Sequence, residues 1–205
     1  MNRVIFTSAL LATVVSAAFA APYTVKFKST SVGQSTSIKF YGSSKNVFAG
    51  KLKFNNVAKG SDFFTVCADL AVQISGGQTY NVNNQFASAS PLGIAKAGRI
   101  VAKHFNSANT NEKAAALQLA VWEAIYDTGS SPSFSSGNFK ATVSTSVKNQ
   151  AYSYYSAIST PGEALYLKAT PTNSGQSQLT VVPEPAALAA LVIGAGMIVL
   201  RRKKA

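Results

Sequence analysis

Hydrophobic and polar residues alternate along the part of the chain that follows residue 21. Tyr23, Val25 and Phe27 alternate with polar residues, and the same alternation returns at 36–41 and 47–54. A period of two is typical of strands that have one buried face and one face in water. The pattern therefore predicts an antiparallel meander in this first third.

The hydrophobic pattern then changes character. Residues 62–74 are almost continuously apolar and contain Cys67, which predicts a central strand covered on both sides. Residues 79–82 predict a short return strand. Near the end, 165–168 and 178–182 predict two closing strands, separated by a polar turn.

Helical periodicity dominates the middle of the chain. Apolar residues recur at helical spacing in 91–105, in 109–127 and, more weakly, in 145–158. Asn109 is the expected N-cap of the second helix, with Glu112 three residues later. The fold class that follows is α+β: an antiparallel sheet or open β-barrel with two or three helices inserted in its middle.

The second helix places one polar group where a core should be. On a helical wheel that starts at Leu117, Gln118 falls at about 100°, near the middle of the apolar arc. Glu123 and Asp127 fall on the opposite arc, and we expect both to be solvated. A buried amide without a partner costs about 1–3 kcal/mol, so Gln118 needs a partner inside the protein.

Both ends of the chain have the pattern of processing segments. Residues 1–20 contain a basic start, an apolar run and an A-x-A site that ends at Ala20, and we interpret them as a secretory signal peptide. An uncleaved anchor is the alternative. At the other end, residues 181–205 contain an apolar run, Ala186 to Leu200, followed by four basic residues. A helix of that length reaches only about 22 Å, short for a bilayer.

This C-terminal segment resembles the PEP-CTERM sorting signal of Gram-negative bacteria. The resemblance lies in Pro183, Glu184 and Pro185, in the apolar run and in the basic end. It implies a short transmembrane helix, removal of the tail by an exosortase-type processing enzyme, and a setting of exopolysaccharide production. An ordinary C-terminal membrane anchor is the alternative. Either reading puts the basic residues in the cytoplasm and the rest of the chain outside it.

The segment between these ends, residues 21–180, has the size of one domain with its own core. From 21 to 182 there are fourteen Lys or Arg and six Asp or Glu, an excess of eight positive charges. The basic residues are scattered, which argues against a nucleic-acid-binding arm. They are either solvated strand faces or a source of weak attraction to acidic polysaccharide or lipopolysaccharide.

The single cysteine is unusual for an exported protein, because Cys67 has no second cysteine for an intramolecular disulfide. A passive core thiol is the plain interpretation. The alternative pairs Cys67 with Gln118. A thiol that attacks a glutamine carbonyl and expels ammonia leaves an internal thioester, which must be held in a fixed geometry and shielded from water. Phe64 and Trp122 are the expected shields, and Asp69 could orient the site by hydrogen bonds.

At these positions the sequence resembles the thioester domains of bacterial surface proteins. The resemblance rests on Val66-Cys67-Ala68-Asp69-Leu70 and on Gln118-Leu119-Ala120-Val121-Trp122, with a strand cysteine first and a helix glutamine later. It implies that the side chains of Cys67 and Gln118 are joined. It also implies that an amine or hydroxyl on a surface target opens the bond and becomes attached to the Gln118 acyl group.

The sequence does not contain the residues that a metal site or a cofactor site would need. One histidine, His104, and one cysteine do not make a standard zinc site, and no cofactor motif is present. His104 could act as a catalytic base, but the interpretation as a surface histidine at the end of a helix is better supported. We therefore expect that the protein is not an enzyme that turns over substrate.

Our leading hypothesis is an exported cell-envelope or matrix protein that attaches covalently, like an adhesin, and is held at the membrane by its C-terminal helix before processing. The alternative is a non-covalent structural or exopolysaccharide-associated protein, for which the aromatic residues Tyr152, Tyr154 and Tyr155 are candidate sugar contacts.

Overall fold

The structure, a computed structural model, describes residues 22–127, 129, 131–170 and 175–182. It contains seven strands: β1 Tyr23–Phe40, β2 Ser43–Asn56, β3 Ser61–Cys67, β4 Thr79–Phe86, β5 Phe139–Thr142, β6 Ala164–Ala169 and β7 Gln178–Val181. Three helices lie between them: α1 Leu92–His104, α2 Asn111–Tyr126 and α3 Thr145–Tyr155. Short 3-10 turns at Ala87–Ala89 and Ser156–Ser159 lead into α1 and out of α3.

Six of the strands form a closed antiparallel barrel. The order around the barrel is β2-β3-β7-β6-β4-β1, and β1 closes it by pairing with β2 as well. The seventh strand, β5, pairs with the far end of β1. The predicted α+β class with inserted helices is confirmed. The sequence predicted either an antiparallel sheet or an open β-barrel. In the structure β1 pairs with β2 along one edge and with β4 along the other, and this closes the sheet.

The long β1–β2 hairpin bends where two glycines face each other. Gly33 pairs with Gly50 at a register shift, and both have φ near +155°. A Cβ on either residue would lie 2.4 Å from a carbonyl oxygen of the opposite strand, so only glycine permits this close approach. At the bend, the backbone N–H of Gly33 donates to the side chain of Asn111, which ties the hairpin to the start of α2.

Helix α2 is the centre of the helical layer. It packs against β1 and β2 on one side and between α1 and α3 on the others. Every residue from Ala114 to Ala124 is buried, as expected for a helix enclosed on all sides. The helix begins one residue later than predicted, because Thr110 and not Asn109 is the N-cap, with its hydroxyl accepting the N–H of Lys113.

The other sequence predictions have mixed outcomes. Helices α1 and α3 and strands β4, β6 and β7 were predicted, but β5 was not. The predicted strand at 62–74 ends at Cys67, because the chain turns there and the Asp69 carboxylate accepts the N–H of Ala71.

The predicted signal peptide (1–20) and the segment from Pro183 to the C-terminus, with its sorting motif and apolar run, lie outside the described residues. No helix in the described part of the chain combines the length and the apolar character needed to cross a membrane.

Candidate functional site

Cys67 and Gln118, 51 residues apart in sequence, meet in the core. The backbone N–H of Cys67 donates to Gln118 Oε1 at 2.8 Å, and Gln118 Nε2 donates to the Cys67 carbonyl oxygen at 2.7 Å. The pairing of β3 with β2 ends one residue earlier, at Val66. The Gln118 side-chain amide therefore continues the hydrogen bonding of β3, in the way that a peptide group of a neighbouring strand would.

This arrangement gives Gln118 the hydrogen-bond partner that its predicted burial requires. Gln118 is fully buried, and both ends of its amide are hydrogen-bonded. It also holds α2 against the end of β3. The plain alternative for Gln118, a helix amide bonded to strand backbone, has this same pair of hydrogen bonds, so they do not by themselves distinguish it from a reactive amide.

The sulfur of Cys67 lies in a turn made by the next two residues. Cys67 Sγ accepts the N–H of Asp69 at 3.3 Å and lies 3.2 Å from the Asp69 carbonyl oxygen, to which the thiol can donate. Burial raises the pKa of the Cys67 thiol to about 12, although the Asp69 N–H and the nearby indole of Trp122 favour the thiolate. The thiol is therefore protonated near neutral pH. Asp69 contacts the sulfur through its backbone, not through the carboxylate expected from the sequence.

Trp122 lies one helical turn after Gln118 and covers the cysteine. The indole is 1% exposed and packs edge-on against Phe139, with ring centroids 5.8 Å apart. Within the described residues, its N–H has no acceptor at ordinary hydrogen-bond geometry, although it lies near enough to the Cys67 sulfur to lower the thiol pKa. Phe64 is not part of this cluster. Its side chain is 42% exposed, because it lies on the outer face of β3, three residues before Cys67.

A cavity of about 300 Å³ adjoins the cysteine. Cys67, Trp122 and Gln176 contribute to its wall, and the β1–β2 hairpin and the segment after Cys67 form the rest. The other lining residues are mostly apolar or amide side chains: Phe27, Thr30, Lys45, Asn46, Val47, Phe48, Leu52, Leu70, Val72, Gln73, Ile74 and Ser75. The cavity is open at the surface and extends to Cys67.

A buried glutamine network that the sequence did not predict holds the segment after Cys67. Gln176 Nε2 donates to the carbonyl oxygens of Asp69 and Val72, at 2.9 and 2.6 Å. Gln178 Nε2 donates to the Gln176 side chain, and Gln178 Oε1 accepts the hydroxyl of Thr65. Because Gln176 and the thiol share the Asp69 carbonyl, this network fixes the turn that contains the sulfur.

Glu123, predicted to be solvated, is instead buried, and that prediction is wrong. The residue is 1% exposed, and Oε1 accepts the N–H of Ser133 at 2.6 Å. Oε2 has no partner in the described part of the chain. Burial raises the pKa of Glu123 to about 7. The loop between α2 and β5 covers this face of α2, and a wheel of one helix does not show such a covering.

The remaining candidates lie away from the cavity. The ring of His104 stacks on Tyr154 at 4.4 Å, and burial lowers the pKa of the imidazole. Tyr154 and Tyr155 are core residues, and of the three tyrosines of α3 only Tyr152, at 36%, is exposed. The tyrosines therefore do not form a continuous surface for sugar.

We compared the chain with protein-family models, with curated proteins and with solved structures, and none of these comparisons found a match.

Proposed function

We propose that Cys67 and Gln118 form an internal thioester and that the protein uses it once, to attach itself covalently to a surface nucleophile. The observation that carries the proposal is that the buried Gln118 amide meets the cysteine residue, through two hydrogen bonds to its backbone, at the wall of a cavity. It brings the acyl group and the thiol-bearing residue together across 51 positions of sequence. The adjoining cavity supports the proposal because it has Cys67 in its wall.

The same contacts suit the bond-forming step. In that step the Cys67 sulfur bonds to the side-chain carbonyl carbon of Gln118, and the bond from that carbon to Nε2 breaks. The thiol proton leaves with the amide nitrogen as ammonia. Negative charge develops on Oε1 during the attack, and the Cys67 N–H, at 2.8 Å, already points at that atom. A preorganised backbone donor of this kind stabilises an oxyanion.

Opening of the thioester attaches the target. The nucleophile, an amine in the simplest case, bonds to the Gln118 carbonyl carbon, the carbon–sulfur bond breaks, and a proton from the amine returns to the sulfur. The raised pKa of Cys67 means that the released thiol is protonated near neutral pH. Trp122, which is buried beside Cys67, limits the access of water, which would otherwise hydrolyse the bond.

The proposed setting is the cell envelope or extracellular matrix. It rests on the sequence of the two ends: the signal-peptide pattern at 1–20, and the sorting pattern at 183–205 with its exosortase-type processing. A covalent bond to an amine- or hydroxyl-bearing surface or to exopolysaccharide would retain the protein there after the tail is removed.

Intact mass of the purified protein tests the bond. We expect the mass to be lower than the sequence mass by one ammonia, about 17 Da, and methylamine to add its own mass and release a titratable thiol. An unmodified mass with a freely titrating thiol, measured on folded protein, would refute the proposal. It would favour the non-covalent matrix protein.

Cys67→Ala is the matched control. Both hydrogen bonds of Gln118 go to backbone atoms of residue 67, so the variant keeps the contact between α2 and β3 while removing the sulfur. We expect it to fold, to have the full sequence mass and to ignore methylamine. Retention of this variant on target surfaces at the level of the native protein would show that attachment does not need the thioester.

A further inference from the structure

The two segments outside the described domain leave it from the same end of the barrel. β1 begins at Tyr23 and β7 ends at Val181, and both residues line a second cleft, of about 340 Å³. The β2–β3 turn, residues 56–61, lines it as well. We call this end of the barrel, made by Tyr23, the turn 56–61 and Val181, the terminal rim.

The terminal rim has an apolar surface with a basic residue at its edge. Most of the cleft wall is apolar, with Tyr23, Phe63, Leu165, Leu167 and Val181 contributing.

In the β2–β3 turn, Val57 is 49% exposed and Lys59 is exposed beside it. Asp62, the carboxylate that follows this turn, is paired with Lys28 and Lys53 at 3.2 and 2.9 Å. A surface of this kind suits contact with lipid headgroups and the upper acyl chains.

The length of the connection sets how far the terminal rim can be from the apolar segment 186–200. Only residues 183–185 lie between Val182, the last described residue, and Ala186. Four chain steps span at most about 14 Å. If 186–200 lies in a bilayer, as its sequence predicts, the terminal rim must lie within the depth of the headgroup region or just above it.

The reactive cavity lies at the opposite end of β3. The strand runs from Ser61 at the terminal rim to Cys67 at the cavity. Six residues of rise correspond to about 20 Å. A domain that rests on its terminal rim therefore presents Cys67 away from the membrane.

We infer that the terminal rim docks on the surface of a bilayer that contains anionic lipid, and that this contact orients the Cys67 cavity toward the outside. The inference rests on the proposed membrane role of 186–200 and not on whether the thioester forms. A surface-attachment reagent needs this orientation, because a cavity turned toward its own membrane would be closed to targets.

Depth-dependent quenching tests the orientation. The full chain with Cys67→Ala is reconstituted in vesicles of phosphatidylethanolamine and phosphatidylglycerol, and a fluorophore is attached at Val57→Cys or, in a second protein, at Gln73→Cys. Val57 lies on the terminal rim and Gln73 lines the reactive cavity. We expect quenchers attached to the lipid headgroup to act at least about threefold more strongly on the label at position 57 than on that at position 73.

Equal quenching at both positions, or stronger quenching at position 73, would overturn the inference. So would an unquenched label at position 57, the result expected if the cleft is filled by the chain's own apolar segment. The double variant Val57→Asp, Lys59→Glu should reduce the quenching of a label at Ala58→Cys severalfold. Tyr41→Asp, at a still more exposed hydrophobic residue in the β1–β2 turn, should leave it unchanged.

The intact mass of the native protein is measured separately. A mass without the ammonia deficit together with the expected quenching would refute the thioester and retain the orientation. An ammonia deficit without the expected quenching would retain the thioester and refute the orientation.

Discussion

Two polar side chains of α2, Gln118 and Glu123, are both buried, but they differ in how completely they are hydrogen-bonded. Gln118 has a partner for each end of its amide, and both partners belong to Cys67. Glu123 has one partner, the N–H of Ser133, and a second oxygen without one in the described residues. A neutral amide can be satisfied by one peptide unit, whereas a carboxylate in the same helix must lose its charge or pay for its desolvation.

The comparison separates two uses of a buried polar group. The Gln118 region is preorganised, with every polar atom of the amide directed to one residue of a strand. The Glu123 region is covered by a loop, and its carboxyl has a pKa raised to about 7. The predictions that follow test this difference, from the largest expected effect to the smallest.

Opening the proposed thioester should produce the largest change in stability. A covalent crosslink between residues 51 apart would restrict the unfolded chain, and by analogy with a disulfide it would contribute about 4 kcal/mol. We expect protein treated with methylamine to lose about this much free energy of unfolding in urea, with Cys67→Ala unaffected by the treatment. A native protein whose unfolding does not respond to methylamine, at a mass that shows complete reaction, would exclude a stabilising crosslink.

Removal of the Gln118 amide should rank second. In a Cys67→Ala background, Gln118→Ala leaves the N–H and carbonyl of residue 67 without partners and creates a void, at a cost of about 3 kcal/mol. The measurement is urea unfolding of the double variant against Cys67→Ala alone. A cost below about 1 kcal/mol would show that the two hydrogen bonds do not hold α2 to β3.

Glu123→Gln should increase the free energy of unfolding, by an amount that depends on pH. The folded pKa of about 7 lies above the ordinary value of 4.5. Between these values the unfolded chain has released the proton and the folded chain still holds it, so stability falls as pH rises from 4.5 to 7. The substitution removes this loss. We expect it to stabilise the protein by about 2 kcal/mol at pH 8 and by almost nothing at pH 4.

A parallel series with Gln118→Glu provides the matched test for that prediction. It introduces a carboxyl at the other buried position, where a peptide carbonyl faces it, and should destabilise most at high pH. If both substitutions changed stability equally at pH 4 and pH 8, buried ionisation would not be the cause.

The smallest effect on stability is expected for Trp122→Phe. The phenyl ring keeps most of the packing against Phe139 and removes an indole N–H that makes no hydrogen bond of ordinary geometry in the described part of the chain. We expect a change of about 1 kcal/mol or less. Loss of the ammonia deficit with time, followed by mass, should nevertheless become faster, because water reaches the bond more easily. An unchanged hydrolysis rate would show that Trp122 does not shield the bond from water.

Local pattern accounts for much of what was predicted correctly. Alternation identified β2 and the two ends of β1, which it predicted as separate strands. Helical periodicity identified α1, α2 and α3. Both patterns depend on side-chain directions that repeat over a few residues. The same reasoning found Gln118 as a buried amide. Cys67 was named as its partner by pairing the single cysteine of an apolar strand with the buried amide, and by the resemblance of two short motifs. Periodicity carries no information about contacts 51 residues apart.

The errors have a common physical origin. Glu123 was placed in solvent because a helical wheel assumes one buried face, but α2 is enclosed by two helices, the barrel and a loop. Phe64 was expected near the site because it precedes Cys67 closely, but the side-chain period of a strand turned it outward. Strand β5 is only four residues long and is stabilised by pairing with β1, so its own sequence contains little signal.

The sequence by itself determined the α+β class, the three helices and the burial of one glutamine, because these follow from periodicities of two and 3.6 residues. Only the tertiary structure decided that the barrel closes, that the Gln118 amide hydrogen-bonds to the backbone of Cys67, that Glu123 is buried, and that the terminal rim and the Cys67 cavity lie at opposite ends of β3. Those features depend on how distant segments pack, and the free energy of that packing comes from contacts that no single segment of the chain contains.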